Sequence, residues 1–108
     1  MATRATESVP TTGLAATYNA ASGGGDRVSP GAIVHVKNGN AAILTVTIST
    51  PLTLDGDLTV ADRTFTVPAT TGEKFVKIQN DTTYRDPTDG LVGLSWSVTS
   101  TVTFAVIA

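Results

Sequence analysis

The sequence predicts an all-β fold: an antiparallel β-sandwich, jelly-roll or Ig-like, of about seven strands. Three observations predict it. Threonine (20), valine (12) and isoleucine (5) make up about a third of the 108 residues, and branching at Cβ favours pleated strands over helix. Several segments alternate apolar and polar side chains with period two, and none has a 3.6-residue period. Turn residues return about every 8–12 positions, the spacing of a sandwich or barrel.

A chain of this length forms one domain. Residues 1–12 (MATRATESVPTT) are polar and unpatterned, and read as an extended N-terminal arm before a single β-sandwich domain of residues 13–108. Pro10 keeps Val9 extended. The arm has too few apolar residues for a core of its own, so it is expected to order against a neighbouring subunit, with Arg4, Glu7 and Val9 as its partner-binding residues.

Gly13–Ala21 is the first predicted strand, with Leu14, Ala16 and Tyr18 on one face. Ser22–Asp26, with three consecutive glycines, is a loop. Ala32–Lys37 is the second strand, Val34 and Val36 inward, His35 and Lys37 outward. Asn38-Gly39-Asn40 is the strongest hairpin signal, since both residue types accept the positive φ of a type I′ turn. It would pair the second strand with Ile43–Thr50, where Leu44, Val46 and Ile48 point inward. Val60–Pro68, Glu73–Gln79, Leu91–Val98 and Thr101–Ala108 complete the seven, the last two as a hairpin around Thr99-Ser100. The predicted core is Val34, Val36, Leu44, Val46, Ile48, Phe65, Val67, Val76, Ile78, Trp96, Phe104 and Val106, with Phe75 also read as core.

Composition excludes much chemistry. The chain has no cysteine, which removes disulfides, thiolate metal sites and thiol nucleophiles. A net charge of −2 gives no electrostatic footprint for nucleic acid. No window is apolar over the ~18 residues that span a bilayer. The opening Met1-Ala2-Thr3-Arg4 has no apolar run of leader length behind it, so folding in a cytoplasm is expected.

No catalytic constellation emerges. His35 is the only histidine, too few for a histidine metal site, and no Gly-x-Ser-x-Gly elbow accompanies it. Asp55, Asp57 and Asp62 form one acidic group and Asp81, Asp86 and Asp89 another; both read as turn-closing aspartates rather than calcium ligands. Ser22–Asp26 lacks the lysine of a phosphate loop. No cofactor, metal ion or active site is expected, and the protein is expected not to be an enzyme.

Three segments carry a resemblance: VKNGNAAILTVTISTP, LDGDLTVADRTFTVPATTGEKFVKI and YRDPTDGLVGLSWSVTSTVTFAVIA. In order, they give an Asn-Gly turn, a Thr-Val strand ending at proline, a "DG…VADRTFTVPA" segment and a late "DP.DG" loop before two terminal strands. From Val36 to Ala108 this resembles the small all-β decoration, or minor capsid, proteins of tailed phages, especially those of actinobacteria. The resemblance implies a virion structural protein made in the host cytoplasm. It would bind the major capsid protein on the outer capsid surface as a homotrimer, stabilising the capsid, with no nucleic acid or membrane partner. Two alternatives stand beside it: a carbohydrate- or surface-binding sandwich using Trp96, Tyr18 and Tyr84 as sugar platforms, and a head–tail or tail-tube component.

Overall fold

Alternation builds the strands. In β4 (Ile33–Asn38) Val34, Val36 and Asn38 are buried while Ile33, His35 and Lys37 point out. In β5 (Leu44–Ile48) Leu44, Val46 and Ile48 point in and Thr45 and Thr47 out. In β11 (Val102–Ile107) Val102, Phe104 and Val106 are buried on the inner face. A computed structural model describes residues 2–51, 53–54, 58–59, 61–80 and 84–108. The other strands among them are β1 (Ala2–Thr3), β2 (Asn19–Ala20), β3 (Asp26–Val28), β6 (Thr53–Leu54), β7 (Leu58–Thr59), β8 (Arg63–Val67), β9 (Gly72–Lys77) and β10 (Val92–Trp96). No helix occurs among the described residues.

Nine strands form two sheets. The first has the order β1-β3-β10-β5-β8 and the second β2-β11-β4-β9, while β6 and β7 pair as a separate ribbon. Setting β1 aside, eight strands remain, four per sheet and antiparallel throughout. From β2 onward the chain changes sheet at each step, except from β5 through the ribbon to β8. That is jelly-roll topology, which decides between the two predicted sandwich types.

The nine strands exceed the expected seven because β1 and β3 are too short to show a period. The first predicted strand shrinks from Gly13–Ala21 to β2, Asn19–Ala20. Its would-be partner, the end of β11, is already taken by the N-terminal segment. The Glu7 amide donates to Val106 O at 2.9 Å, the Ala108 amide to Glu7 O at 2.9 Å, and the Val9 amide to Ala108 O at 3.2 Å. With β1 pairing parallel to β3, residues 2–9 strap one flank of the sandwich from the first sheet to the second.

Both predicted hairpins are corrected. β4 pairs with β11 and β9, whereas β5 pairs with β10 and β8. β10 and β11 likewise lie in different sheets. Gly39 does not adopt the positive φ of a type I′ turn. Instead, Asn38 and its neighbours tie three inter-sheet connections together. Asn38 Nδ2 donates to Ala42 O (3.0 Å), Val67 O (3.3 Å) and Pro68 O (3.1 Å). The Thr70 amide donates to Asn40 O at 2.8 Å, and the Gly39 amide to Thr101 O at 3.0 Å. Asn40 Nδ2 donates to Ser100 O at 3.0 Å. Thr70 and Thr101 hold left-handed φ values of 72° and 57°, a conformation that costs a β-branched residue of order 1–3 kcal/mol and persists because these bonds over-determine it. At Gly72 a Cβ would lie 1.9 Å from Pro68 O, so the β8–β9 connection requires glycine.

Asn38→Ala is therefore expected to cost about 1–3 kcal/mol, because the buried Val67 carbonyl and the part-buried Ala42 and Pro68 carbonyls lose their donor. Urea unfolding measures it. A loss under about 0.5 kcal/mol would show that water satisfies those carbonyls instead.

The core is contiguous. Phe104, Leu44, Ile78, Leu94 and eight valines are its largest fully buried side chains. Nine of the twelve predicted core residues are buried. Phe65 and Trp96 are half-buried and packed against the core, and Val76 is half-buried. Phe75 is corrected: it is 59% exposed. Its register opposite His35 sets it on the outer face of the second sheet.

Candidate interaction face

The two outer faces of the sandwich differ in chemistry. On the first sheet, register aligns Ser95, Thr47 and Thr64 in one row and Thr45 with Thr66 in the next. Hydroxyls of this kind are well solvated, and the face suits water.

On the second sheet, one row runs Ala105, His35, Phe75, another Thr103, Lys37, Glu73, and a third Ile107, Ile33, Lys77. Tyr18, just before β2, joins them. Its hydroxyl lies 2.6 Å from His35 Nδ1, and its ring stands edge-on to the imidazole at 5.6 Å. Phe75 packs edge-on against the other side of His35 at 4.0 Å. Lys37 Nζ sits 4.1 Å from the Tyr18 ring centroid, a cation–π contact. His35 Nε2 lies 3.0 Å from Glu73 Oε1. With the tyrosine hydroxyl donating, a neutral imidazole protonated at Nε2 satisfies both contacts.

Sequence reasoning placed His35 outward but missed this cluster. The face is already ordered by its own contacts, so a partner meeting it need not immobilise many side chains. Fully burying a phenylalanine is worth about 1.5–3 kcal/mol, which Phe75 largely forgoes in the isolated chain. Aromatic side chains ringed by polar ones mark interaction surfaces.

Other sequence candidates have local roles. Arg4 Nε donates to Asp26 Oδ1 at 2.9 Å, and its guanidinium also reaches Ala20 O and Ser22 Oγ. Glu7 accepts from the Thr17 amide at 2.8 Å and from its hydroxyl. Both predicted partner residues thus make contacts within their own domain, while Val9 is 54% exposed.

Trp96 donates from Nε1 to Asp26 Oδ2 at 2.8 Å and lies 4.9 Å from Phe104, centroid to centroid. Tyr84 packs against the core beneath Arg63. Of the three proposed sugar platforms, only Tyr18 lies on the exposed aromatic row.

Asp62 accepts from the Thr50 amide and hydroxyl, both at 2.8 Å. Asp86 and Asp89 close turns by accepting the Thr88 and Leu91 amides, each at 2.9 Å. Arg27 bridges both carboxylates. The Leu91 amide foremost, and Arg27 after it, outweigh desolvation and hold the Asp89 carboxyl below its ordinary value. Asp55, Asp57 and Asp81 lie outside the described residues. Among those described, no three acidic or histidine residues cluster as a metal site.

No family model, curated protein or solved structure matches the chain.

Proposed function

We propose that the protein is a non-enzymatic phage virion component: a decoration protein that binds the outer capsid surface, contacts the major capsid protein and assembles as a homotrimer. The observation that carries the reading is the contrast between the two outer faces. A decoration protein must dock on one side and meet water on the other. The Tyr18–His35–Phe75 row suits the docking side and the Ser/Thr rows the wet side. The resemblance of residues 36–108 to decoration proteins supports the same reading. Jelly rolls recur among viral capsid proteins and lectins alike, so topology contributes only by analogy.

The test is co-purification of the protein with assembled heads, with its copy number per head. Phe75→Asp is expected to weaken attachment by about 30-fold or more, the scale of a central interface anchor. Thr47→Lys, on the opposite face, is expected to leave it unchanged. Absence from purified heads overturns the reading, and equal attachment by both variants overturns the assignment of the docking face.

One observation favours a second reading, carbohydrate binding. The exposed Tyr18 and Phe75 rings stand beside Lys37 and Glu73, a combination that can stack on and hydrogen-bond to a sugar. Saturable glycan binding lost in Phe75→Asp, with no attachment to heads, would select it.

A further inference from the structure

The two flanks of the sandwich are finished differently. One carries the N-terminal strap. The other is bounded by the edge strands β8 and β9, and a pocket of about 90 Å³ opens there. Ile48 and Phe65 of the first sheet, Val76 of the second, and Tyr84 supply its apolar wall. Its charged lining residues are Arg63 and Lys77, both cationic; no carboxylate lines it among the described residues. Arg63 shares the inward side of β8 with Phe65, and its guanidinium carbon stands 5.5 Å from the Tyr84 ring centroid. Neither cation forms an ion pair among the described residues.

We propose that this pocket is a socket for one branched aliphatic side chain of a protein partner, a side chain flanked by carboxylates on the partner's surface. Size selects the aliphatic group. Drug-sized ligands occupy roughly 300–1,000 Å³, and a cavity that takes benzene measures roughly 150 Å³. The smaller volume here holds an isobutyl or isopropyl group. Charge selects the flanks. Two cations beside an apolar wall favour an acidic surround and disfavour a basic one. The knob enters at an open sandwich edge, where a protruding side chain reaches core residues without displacing a strand. The inference does not depend on the capsid reading; the pocket opens at the sandwich edge, and of its lining residues Lys77 also belongs to a row of the aromatic face.

The test is a methyl NMR titration of the full chain with three capped peptides: acetyl-Glu-Leu-Glu amide, acetyl-Lys-Leu-Lys amide and acetyl-Glu-Ser-Glu amide. The first is expected to shift the Ile48 and Val76 methyls saturably, with a dissociation constant on the order of millimolar. The other two are expected to bind at least tenfold more weakly. Arg63→Glu, or Lys77→Glu should the first variant unfold, is expected to weaken the acidic peptide tenfold and reverse the preference between the charged peptides. Methyls remote from the pocket report that each variant is folded. Equal shifts from all three peptides, shifts confined to residues elsewhere, or no saturable shift overturns the proposal. Decanoate binding more tightly than the acidic peptide overturns it as well, in favour of a small amphiphile.

Discussion

Replacing Asp26 with alanine is expected to destabilise the protein by about 3–5 kcal/mol, the range found when one partner of a buried ion pair is removed. That is a large fraction of a typical total of ~5–15 kcal/mol. Asp26 is fully buried, and donors surround its carboxylate. Arg4 Nε and Ser22 Oγ donate to Oδ1; the Ser22 amide and Trp96 Nε1 donate to Oδ2. Alanine would remove the acceptor that these part-buried donors share, leaving Arg4 only its contacts to Ala20 O and Ser22 Oγ, and the penalty for the unmet donors is what makes the loss large. The same carboxylate anchors the N-terminal strap, so Arg4→Ala should loosen β1 from β3. The double variant should cost less than the sum of the two single ones, because they remove one shared interaction. Urea unfolding followed by Trp96 fluorescence measures all three. An Asp26→Ala loss below about 1 kcal/mol would mean that the network contributes little net stability.

Phe104→Ala is expected to cost about 3–5 kcal/mol. Phe104 is fully buried in β11, between β2 and β4 in the second sheet. Its ring meets Trp96 of the first sheet, and the Arg4 guanidinium carbon lies 5.7 Å from its centroid. Alanine would open a cavity touching both sheets. Denaturant unfolding at unchanged slope would report the loss as stability rather than as a change in compactness. A loss below about 1 kcal/mol would contradict the packing of the last strand.

The fold class was legible because most core strands alternate cleanly: Leu44, Val46 and Ile48, or Val102, Phe104 and Val106, admit one orientation. Partner choice was not. Asn38-Gly39-Asn40 has the composition of a hairpin turn, and short-range sequence does not distinguish a turn within a sheet from a crossing between sheets. Here the Asn38 side chain reaches Val67 and Pro68, some thirty residues away. Strand β3 was hidden for a related reason. After three glycines, Asp26-Arg27 reads as loop, because the Arg4 and Trp96 donors that allow an aspartate to be buried lie 22 and 70 residues away.

The aromatic face was partly legible. If Val76 and Ile78 point inward, period two sends Phe75 outward, so its reading as core conflicted with the alternation of its own strand. What the pattern lacked was Tyr18, which reaches His35 from a segment that is not itself a strand.

The crossing topology also bears on how the protein forms during synthesis. β11 lies between β2 and β4, so the middle of the second sheet is filled by the strand that comes last in sequence among the described residues. Until that strand leaves the ribosome, β4 presents an unpaired edge on that side, and the inner faces of both sheets lack Phe104. Closure then requires distant segments to meet at once, the type of topology that folds in milliseconds to seconds rather than microseconds. A nascent chain stalled before Val102 therefore keeps an open β4 edge and a tendency to pair with another chain.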